Sequence, residues 1–93
     1  MFDVIAVRVL DGLRLWLRFA DRTESVVDLE PRLTFQGVFA PLRDPLRFRE
    51  VHVNPDTGTI EWPGGADVDP LVLYAWAHGT TAEALLARPD SGR

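Results

Sequence analysis

The sequence contains no cysteine, no lysine and only two histidines. Without cysteine, the chain has no disulfide, no cysteine-bound zinc and no thiol nucleophile. All ten basic residues are arginines, so the Schiff-base chemistry of lysine is excluded as well. We therefore expect no stoichiometric transition metal and no cofactor.

Long apolar runs are also missing. No stretch approaches the ~18 consecutive apolar residues of a membrane span, and no basic region precedes an apolar run at the N-terminus. We expect no membrane insertion and no signal peptide, with the bacterial cytoplasm as the default compartment. The formal net charge of −4 argues against general affinity for nucleic acid.

Ninety-three residues, 46% of them apolar, are typical of one small globular domain. The pattern of elements described below predicts an α+β fold: a small antiparallel sheet, made of a three-stranded meander plus a hairpin, with two or three short helices. The domain is predicted to span residues 1–79, followed by a short helical or disordered C-terminal tail at 80–93.

Residues 4–29 predict the three strands of the meander. A three-residue loop at 11–13 makes one face of the first two strands wholly apolar, and the same test places the second loop at 21–23. The predicted pairs are Val9–Leu15, Val7–Leu17 and Ile5–Phe19, then Leu17–Val27 and Leu15–Leu29.

The opposite face of the meander mixes arginines with apolar side chains. Arg8, Trp16 and Asp28 are predicted to form one cross-strand row, with further apolar positions at Val4, Ala6, Leu10 and Val26. One interpretation is a solvated face on which Arg8 covers Trp16. The other is a partner-binding surface, because arginine and tryptophan commonly anchor interfaces. The residues predicted to bind a partner are Arg8, Arg14, Trp16 and Arg18.

A second hairpin is predicted at residues 51–62. Pairing Asn54 with Thr59 leaves a four-residue loop at 55–58, in which Gly58 supplies the left-handed conformation. The predicted apolar face holds Val51, Val53, Ile60 and Trp62, and the polar face holds His52, Asn54, Thr59 and Glu61.

Two Asp-Pro pairs predict helix starts, with Asp44 and Asp69 as N-caps and proline at the first helical position. Gly79 is a predicted C-cap of the second of these helices, and Thr80 with Glu83 has the form of a capping box. Predicted core residues are Phe39, Leu42, Leu46 and Phe48 around the first helix, and Leu71, Val72, Ala75 and Trp76 on the second. That second helix has two candidate positions, over the mixed face of the meander or over the second hairpin.

Two polar pairs are candidates for chemical sites. His52 faces Glu61, as a base faces the group that orients it, yet no nucleophile is placed nearby and a surface pair is the favoured interpretation. Asp67 and Asp69 lack the spacing of a calcium loop, and a helix cap plus a turn explains them. No catalytic, cofactor-binding or metal-binding residues are predicted, and the protein is not expected to be an enzyme.

Several segments resemble a bacterial family of unknown function, DUF2442. They are residues 54–60 (NPDTGTI), 62–67 (WPGGAD), 69–70 (DP) and 73–74 (LY), and upstream 17–21 (LRFAD), 27–29 (VDL) and 39–45 (FAPLRDP) with Phe48. The similarity covers about positions 4 to 75. Arg22 stands where the family usually has glycine. The resemblance implies an α+β fold with no established activity. Members of the family often lie beside small proteins that are suspected of being toxins.

Two functions are therefore expected as alternatives. The first is a non-catalytic protein-interaction module that binds another protein or a second copy of itself as a homodimer, with the antitoxin-like partner of a small toxin as one form. The second, less favoured, is a DNA-binding transcriptional regulator or autoregulating antitoxin, in which the arginines of the second strand would contact phosphate.

Overall fold

The computed structural model describes residues 2–86 and confirms the α+β fold. Strands β1, β2 and β3 form a three-stranded antiparallel sheet in that order, and β4 and β5 form a separate hairpin. The elements are β1 Val4–Val9, β2 Arg14–Phe19, β3 Glu24–Asp28, a 3-10 helix Gly37–Arg43, α1 Pro45–Phe48, β4 His52–Asn54, β5 Thr59–Glu61, α2 Pro70–Ala77 and α3 Ala82–Leu86.

The pairing of β1 with β2 is confirmed at Val9–Leu15 and Val7–Leu17, but the predicted Ile5–Phe19 pair is wrong. A β-bulge inserts Ile5 as an extra residue, so that Val4 lies opposite Phe19. Because a bulge reverses the alternation of side chains, Val4 points into the core and Ile5 is 54% exposed. Val4 was expected on the mixed face, and that expectation is wrong for the same reason.

The predicted register between β2 and β3 is wrong by two residues. Leu15 lies opposite Val27 and Leu17 opposite Ser25, which moves the three-residue loop from 21–23 to 20–22. Within this loop Arg22 adopts a φ of 75°, in the left-handed region that reverses the chain. A shift of two preserves the side-chain alternation, so the predicted inward residues Val27 and Leu29 remain buried.

The hairpin of β4 and β5 has the predicted register, with Asn54 opposite Thr59 and Gly58 at a φ of 73°. The predicted pair of Val51 and Trp62 is not part of the ladder, because the Trp62 N–H donates to the Ala66 carbonyl. Thr59, predicted on the polar face, is buried, and its hydroxyl donates to the Val68 carbonyl at 2.5 Å. That bond removes the cost of burying the hydroxyl.

Trp62 anchors the hairpin in the core. Its side chain is 2% exposed, and its indole N–H donates to the Phe48 carbonyl at 2.9 Å. The ring centroids of Phe48 and Trp62 are 5.7 Å apart.

Asp44 caps α1 as predicted, since its carboxylate accepts from the Leu46 N–H at 3.0 Å. Leu46 was predicted in the core but is 74% exposed. Leu46 and Phe48 are two positions apart in the one-turn helix α1, so their side chains point to different sides of it.

Helix α2 begins at the predicted cap, with the Asp69 carboxylate accepting from the Leu71 N–H at 2.8 Å. Its predicted apolar stripe is only partly correct: Ala75 is buried, but the other fully buried residue is Leu73. All seven residues of α2 after Pro70 are apolar or aromatic, so periodicity alone does not select the buried side.

Gly79 lies just after α2, where the predicted helix end is confirmed. The Thr80 N–H donates to the Ala75 carbonyl at 2.9 Å, which completes the end of α2. Thr80 therefore does not cap the next helix, as was predicted. Thr81 does, because its hydroxyl accepts from the Ala84 N–H at 3.0 Å. The part of the predicted tail after residue 86 lies outside the described residues.

The hairpin loop generates a stability prediction at Gly58. A Cβ built there would lie 2.6 Å from a carboxylate oxygen of Asp3, and the φ of +73° is strained for any residue with a Cβ. We expect Gly58→Val to lower the free energy of unfolding by about 1–2 kcal/mol or more, measured by denaturant unfolding. Gly12→Val is the matched control, since Gly12 also has a positive φ but no atom within 4 Å of its Cβ. A loss at Gly58 no larger than that at Gly12 would contradict the clash with Asp3.

Arg22 generates the opposite prediction. A non-glycine residue in the left-handed region costs about 1–2 kcal/mol, whereas glycine costs about 0.5–1 kcal/mol through the freedom it adds to the unfolded chain. We therefore expect Arg22→Gly to raise the free energy of unfolding by about 0.5–1 kcal/mol. The control Ala20→Gly lies in the same loop without a positive φ and is expected to destabilise. An Arg22→Gly variant less stable than the parent would mean that the arginine side chain stabilises this turn.

Candidate protein-binding surface

The outer face of the meander is the face turned away from the core. Its members are Ala6, Arg8, Leu10, Arg14, Trp16, Arg18, Glu24, Val26 and Asp28. The structure brings all four predicted partner-binding residues together on it. The predicted row of Arg8, Trp16 and Asp28 is wrong, because the shifted register places Val26 beside Trp16 and Asp28 beside Arg14.

Trp16 lies at the centre of the outer face and is partly buried. The guanidinium carbon of Arg8 is 5.5 Å from the centroid of its ring. Such a cation–π contact contributes about 0.5–1 kcal/mol at an exposed site and restricts both side chains. Trp16 is thus covered by Arg8 in the isolated chain, as the first interpretation predicts, while its position beside Val26 leaves an apolar centre.

Two ion pairs hold the other arginines of the outer face. Arg14 Nε donates to Asp11 Oδ1 at 2.9 Å, and Arg18 Nε lies 3.4 Å from Glu24 Oε2. The hydrogen bond from Arg14 lowers the pKa of Asp11 below its ordinary value. These pairs are exposed and add little stability, but they fix where the guanidinium groups point. The sequence prediction missed both acidic partners, although each lies within the local loop or across one strand.

Neither α2 nor the second hairpin packs over the outer face in the described chain. Helix α2 lies against the inner side of β3, where the Ser25 hydroxyl donates to the Ala77 carbonyl at 3.0 Å. The hairpin packs against β1, where the Val4 N–H donates to the Gly58 carbonyl at 2.8 Å. The two positions predicted for α2 were over the outer face of the meander and over the second hairpin, and its observed position on the inner side of β3 is neither of these. Val26 on the outer face is 50% exposed.

The predicted pairing of His52 with Glu61 is confirmed as a cross-strand contact. His52 Nε2 lies 3.0 Å from Glu61 Oε2, and Asn54 Nδ2 donates to Glu61 Oε1 at 3.0 Å. The Glu50 carbonyl, which accepts from His52 Nδ1, raises the pKa of His52, and Glu61 raises it further. Hydrogen bonds from Asn54 and His52 lower the pKa of Glu61. The described residues bring no hydroxyl nucleophile into a hydrogen bond with this imidazole.

A second polar cluster joins the β2–β3 loop to α2. The Tyr74 hydroxyl donates to Asp21 Oδ2 at 2.5 Å, and the Tyr74 ring stacks on His78 with centroids 3.8 Å apart. Hydrogen bonds from the Thr23 hydroxyl and then from Tyr74 lower the pKa of Asp21 to about 2. The cluster braces the loop against the helix. Sequence analysis missed it because Asp21 and Tyr74 are 53 positions apart and no local motif links them.

A cavity of about 470 Å³ lies between the β1–β2 loop and α1. Leu10, Leu13 and Phe48 form apolar parts of its wall, and Arg43 and Arg49 contribute the cations. Arg43 also lies over the ring of Phe35, 4.5 Å from its centroid. Asp11 and Glu30 also lie in the wall. Because the wall contains both positive and negative side chains, its charges do not select one class of ligand.

Within residues 2–86, no three His, Cys, Asp or Glu side chains are grouped so as to hold a metal ion. Of the candidate pair Asp67 and Asp69, Asp69 uses a carboxylate oxygen to cap α2. Among the helices described, none has both the length and the apolar character needed to cross a membrane.

Together these features define a small α+β domain with one buried and one open sheet face. The chain belongs to DUF2442, a family of proteins of unknown function, whose model matches residues 4–79. The resemblance seen in the sequence is thus confirmed. Searches of curated proteins and of solved structures found no match.

His52 generates a prediction about pH. We expect its imidazole to titrate above the ordinary histidine pKa of about 6.5, followed by NMR of the ring protons. Because the folded pKa is raised, the stability gained from this contact is fully present below about pH 6.5 and is lost as pH rises through the folded value.

Glu61→Gln tests the cause of that shift. It is expected to lower the His52 pKa while the contribution of the Glu50 carbonyl remains, and Glu83→Gln in α3 is the control with the same loss of charge. A His52 pKa that is unmoved by Glu61→Gln would show that the carboxylate does not bind the ring in solution.

Proposed function

We propose that the chain is a non-catalytic protein-binding module that docks another protein, or a second copy of itself, through the outer face of the meander. The observation that supports the proposal is the placement of α2 and the hairpin. Both pack without covering the outer face, so Val26 and the neighbouring arginines remain exposed and Trp16 remains partly exposed in the described chain.

The composition of this face is suited to protein contact. Tryptophan and arginine are enriched among residues whose truncation weakens interfaces, and such residues bind best near the centre of a patch. Trp16 occupies the centre, with Arg14 and Arg18 two positions away on the same strand. Because ion pairs and the cation–π contact already restrict these side chains, less conformational entropy is lost on binding.

The charges of the outer face favour protein over nucleic acid. Its arginines lie on β1 and β2, but β3 presents the acidic side chains of Glu24 and Asp28. A phosphate backbone that follows the arginines would meet these carboxylates, and the net charge of −4 repels it further. An antitoxin-like partner of a small toxin is one form of the proposed role, carried over from the family resemblance.

Trp16→Ala tests the proposal. We expect the wild-type chain to self-associate in sedimentation velocity or to retain a protein from lysate of its native cell, and we expect Trp16→Ala to reduce that association at least tenfold, a loss typical of a central interface residue. Leu46→Ala is the matched control, because Leu46 is an exposed apolar residue on α1, away from the outer face.

Two outcomes would contradict the proposal. One is a wild-type chain that stays monomeric at high concentration and retains the same proteins from lysate as the Trp16→Ala variant does. The other is a gel-shift complex with DNA that survives physiological salt and is lost in Arg18→Ala, which would favour the regulator instead.

A further inference from the structure

We propose that β3 binds an extended segment of a partner protein as a fourth strand of the sheet, and that this segment carries basic, apolar and basic side chains at alternate positions. The inference rests on the proposed protein-binding function and specifies how the partner is recognised. Strand addition to a sheet edge is a common mode of peptide recognition, in which main-chain hydrogen bonds supply affinity and alternate side chains supply specificity.

The far edge of β3 is open in the described chain. The sheet order is β1-β2-β3, and no described strand pairs with β3 on its other side. The opposite edge differs, because the hairpin packs against β1 and the Gly58 carbonyl accepts from Val4. The Ser25 side chain bonds to Ala77 on the inner face, so α2 is held on that face of β3.

The hydrogen-bond pattern shows which backbone groups this edge presents. The Phe19 N–H donates to the Thr23 carbonyl, and the Leu29 N–H donates to the Leu13 carbonyl, each at 2.9 Å. Because antiparallel bonding alternates along a strand, the odd-numbered residues of β3 bond to β2. The backbone N–H and C=O groups of Glu24, Val26 and Asp28 therefore point toward the open side.

The same three residues place their side chains on the outer face, in the order acidic, apolar, acidic. A strand added beside them aligns its own alternate side chains with Glu24, Val26 and Asp28, and opposite charges across a strand pair are favourable. Strand β2 already shows this complementarity from the other side, since Arg14, Trp16 and Arg18 lie opposite Asp28, Val26 and Glu24.

The two acidic residues remain able to accept basic partners. Arg14 bonds to Asp11 in its own loop, and Asp28 forms no ion pair within residues 2–86. Asp28 Oδ1 accepts from the Glu30 N–H at 3.0 Å, which fixes the carboxylate beside the edge. Among the described residues, Glu24 is paired only with the exposed Arg18, 3.4 Å away.

The charges also explain why the occupant is not a second β3. A two-fold antiparallel pair centred on Val26 gives the full overlap of β3 with itself, and it sets Glu24 across from Asp28 of the other copy at both ends. Like charges directly opposite each other destabilise a strand pair, and charged residues at an edge commonly prevent such self-association. The edge therefore selects a basic strand over its own copy.

Two synthetic heptapeptides test the inference by NMR titration of the ¹⁵N-labelled chain. One is acetyl-TRTVTRT-amide and the other is acetyl-TETVTET-amide, which differ at two positions, where arginine in the first is glutamate in the second. We expect the basic peptide to shift the amides of Glu24, Val26 and Asp28 and to slow their hydrogen exchange. We expect the affinity of the acidic peptide to be lower by about tenfold or more, since two favourable charge pairs become repulsive.

Two variants separate backbone recognition from charge recognition. Val26→Pro removes an N–H that points to the open side rather than to β2, so it is expected to abolish binding of the basic peptide while the β1–β2 cross-peaks persist. The double change Glu24→Gln with Asp28→Asn keeps the backbone and side-chain shape. It is expected to remove the preference for the basic peptide, so that the two affinities agree within about twofold.

Failure of this inference is distinguishable from failure of the proposed function. A basic peptide that shifts the Trp16 indole without slowing exchange at Val26 would overturn strand addition and leave binding by the outer face intact. Equal affinity of the wild-type chain for both peptides, or no binding of either, would also overturn it, whatever Trp16→Ala does to association of the whole protein.

Discussion

The hydrogen bond from the Val4 N–H to the Gly58 carbonyl joins the start of the sheet to the hairpin, and it depends on the bulge at Ile5. The bulge turns Val4 into the core and gives that end of β1 a second neighbour. Trp62 then joins the same hairpin to α1 through the Phe48 carbonyl. These two hydrogen bonds therefore join the meander, the hairpin and α1 around one continuous core.

The consequence is a sheet with two unlike faces. The inner face is filled by leucines and Phe19, and α2 is fixed beside it by the bonds of Ser25 and Tyr74. A domain of this size has few apolar segments to spare, and the described ones are already used on the inner side. The outer face keeps Trp16 and Val26 near water, and its charge changes sign between β2 and β3, which supplies the proposed selectivity.

Much of the fold was predictable because its signals are local. The Asp-Pro caps, the loop at Gly58 and the alternation of β1 and β2 each specify their own geometry within a few residues. The bulge was not predictable, since the pattern of Ile5 and its neighbours fits regular pairing as well. The β2–β3 register failed because an arginine gives no sign of a positive φ, and the bond between Tyr74 and Asp21 is purely tertiary. Of the candidate site, the sequence identified the arginines and Trp16 but not their acidic partners.

The central claim is that the chain leaves the outer face of its own sheet uncovered. Solvent paramagnetic relaxation with an inert gadolinium chelate measures this directly in dilute protein. The structure predicts strong broadening at the Val26 methyl groups, weaker but clear broadening at the partly buried Trp16 indole, and almost none at the Trp62 indole, which is 2% exposed. Protection of Val26 and Trp16 equal to that of Trp62 would mean that the chain covers this face itself, and would contradict the account.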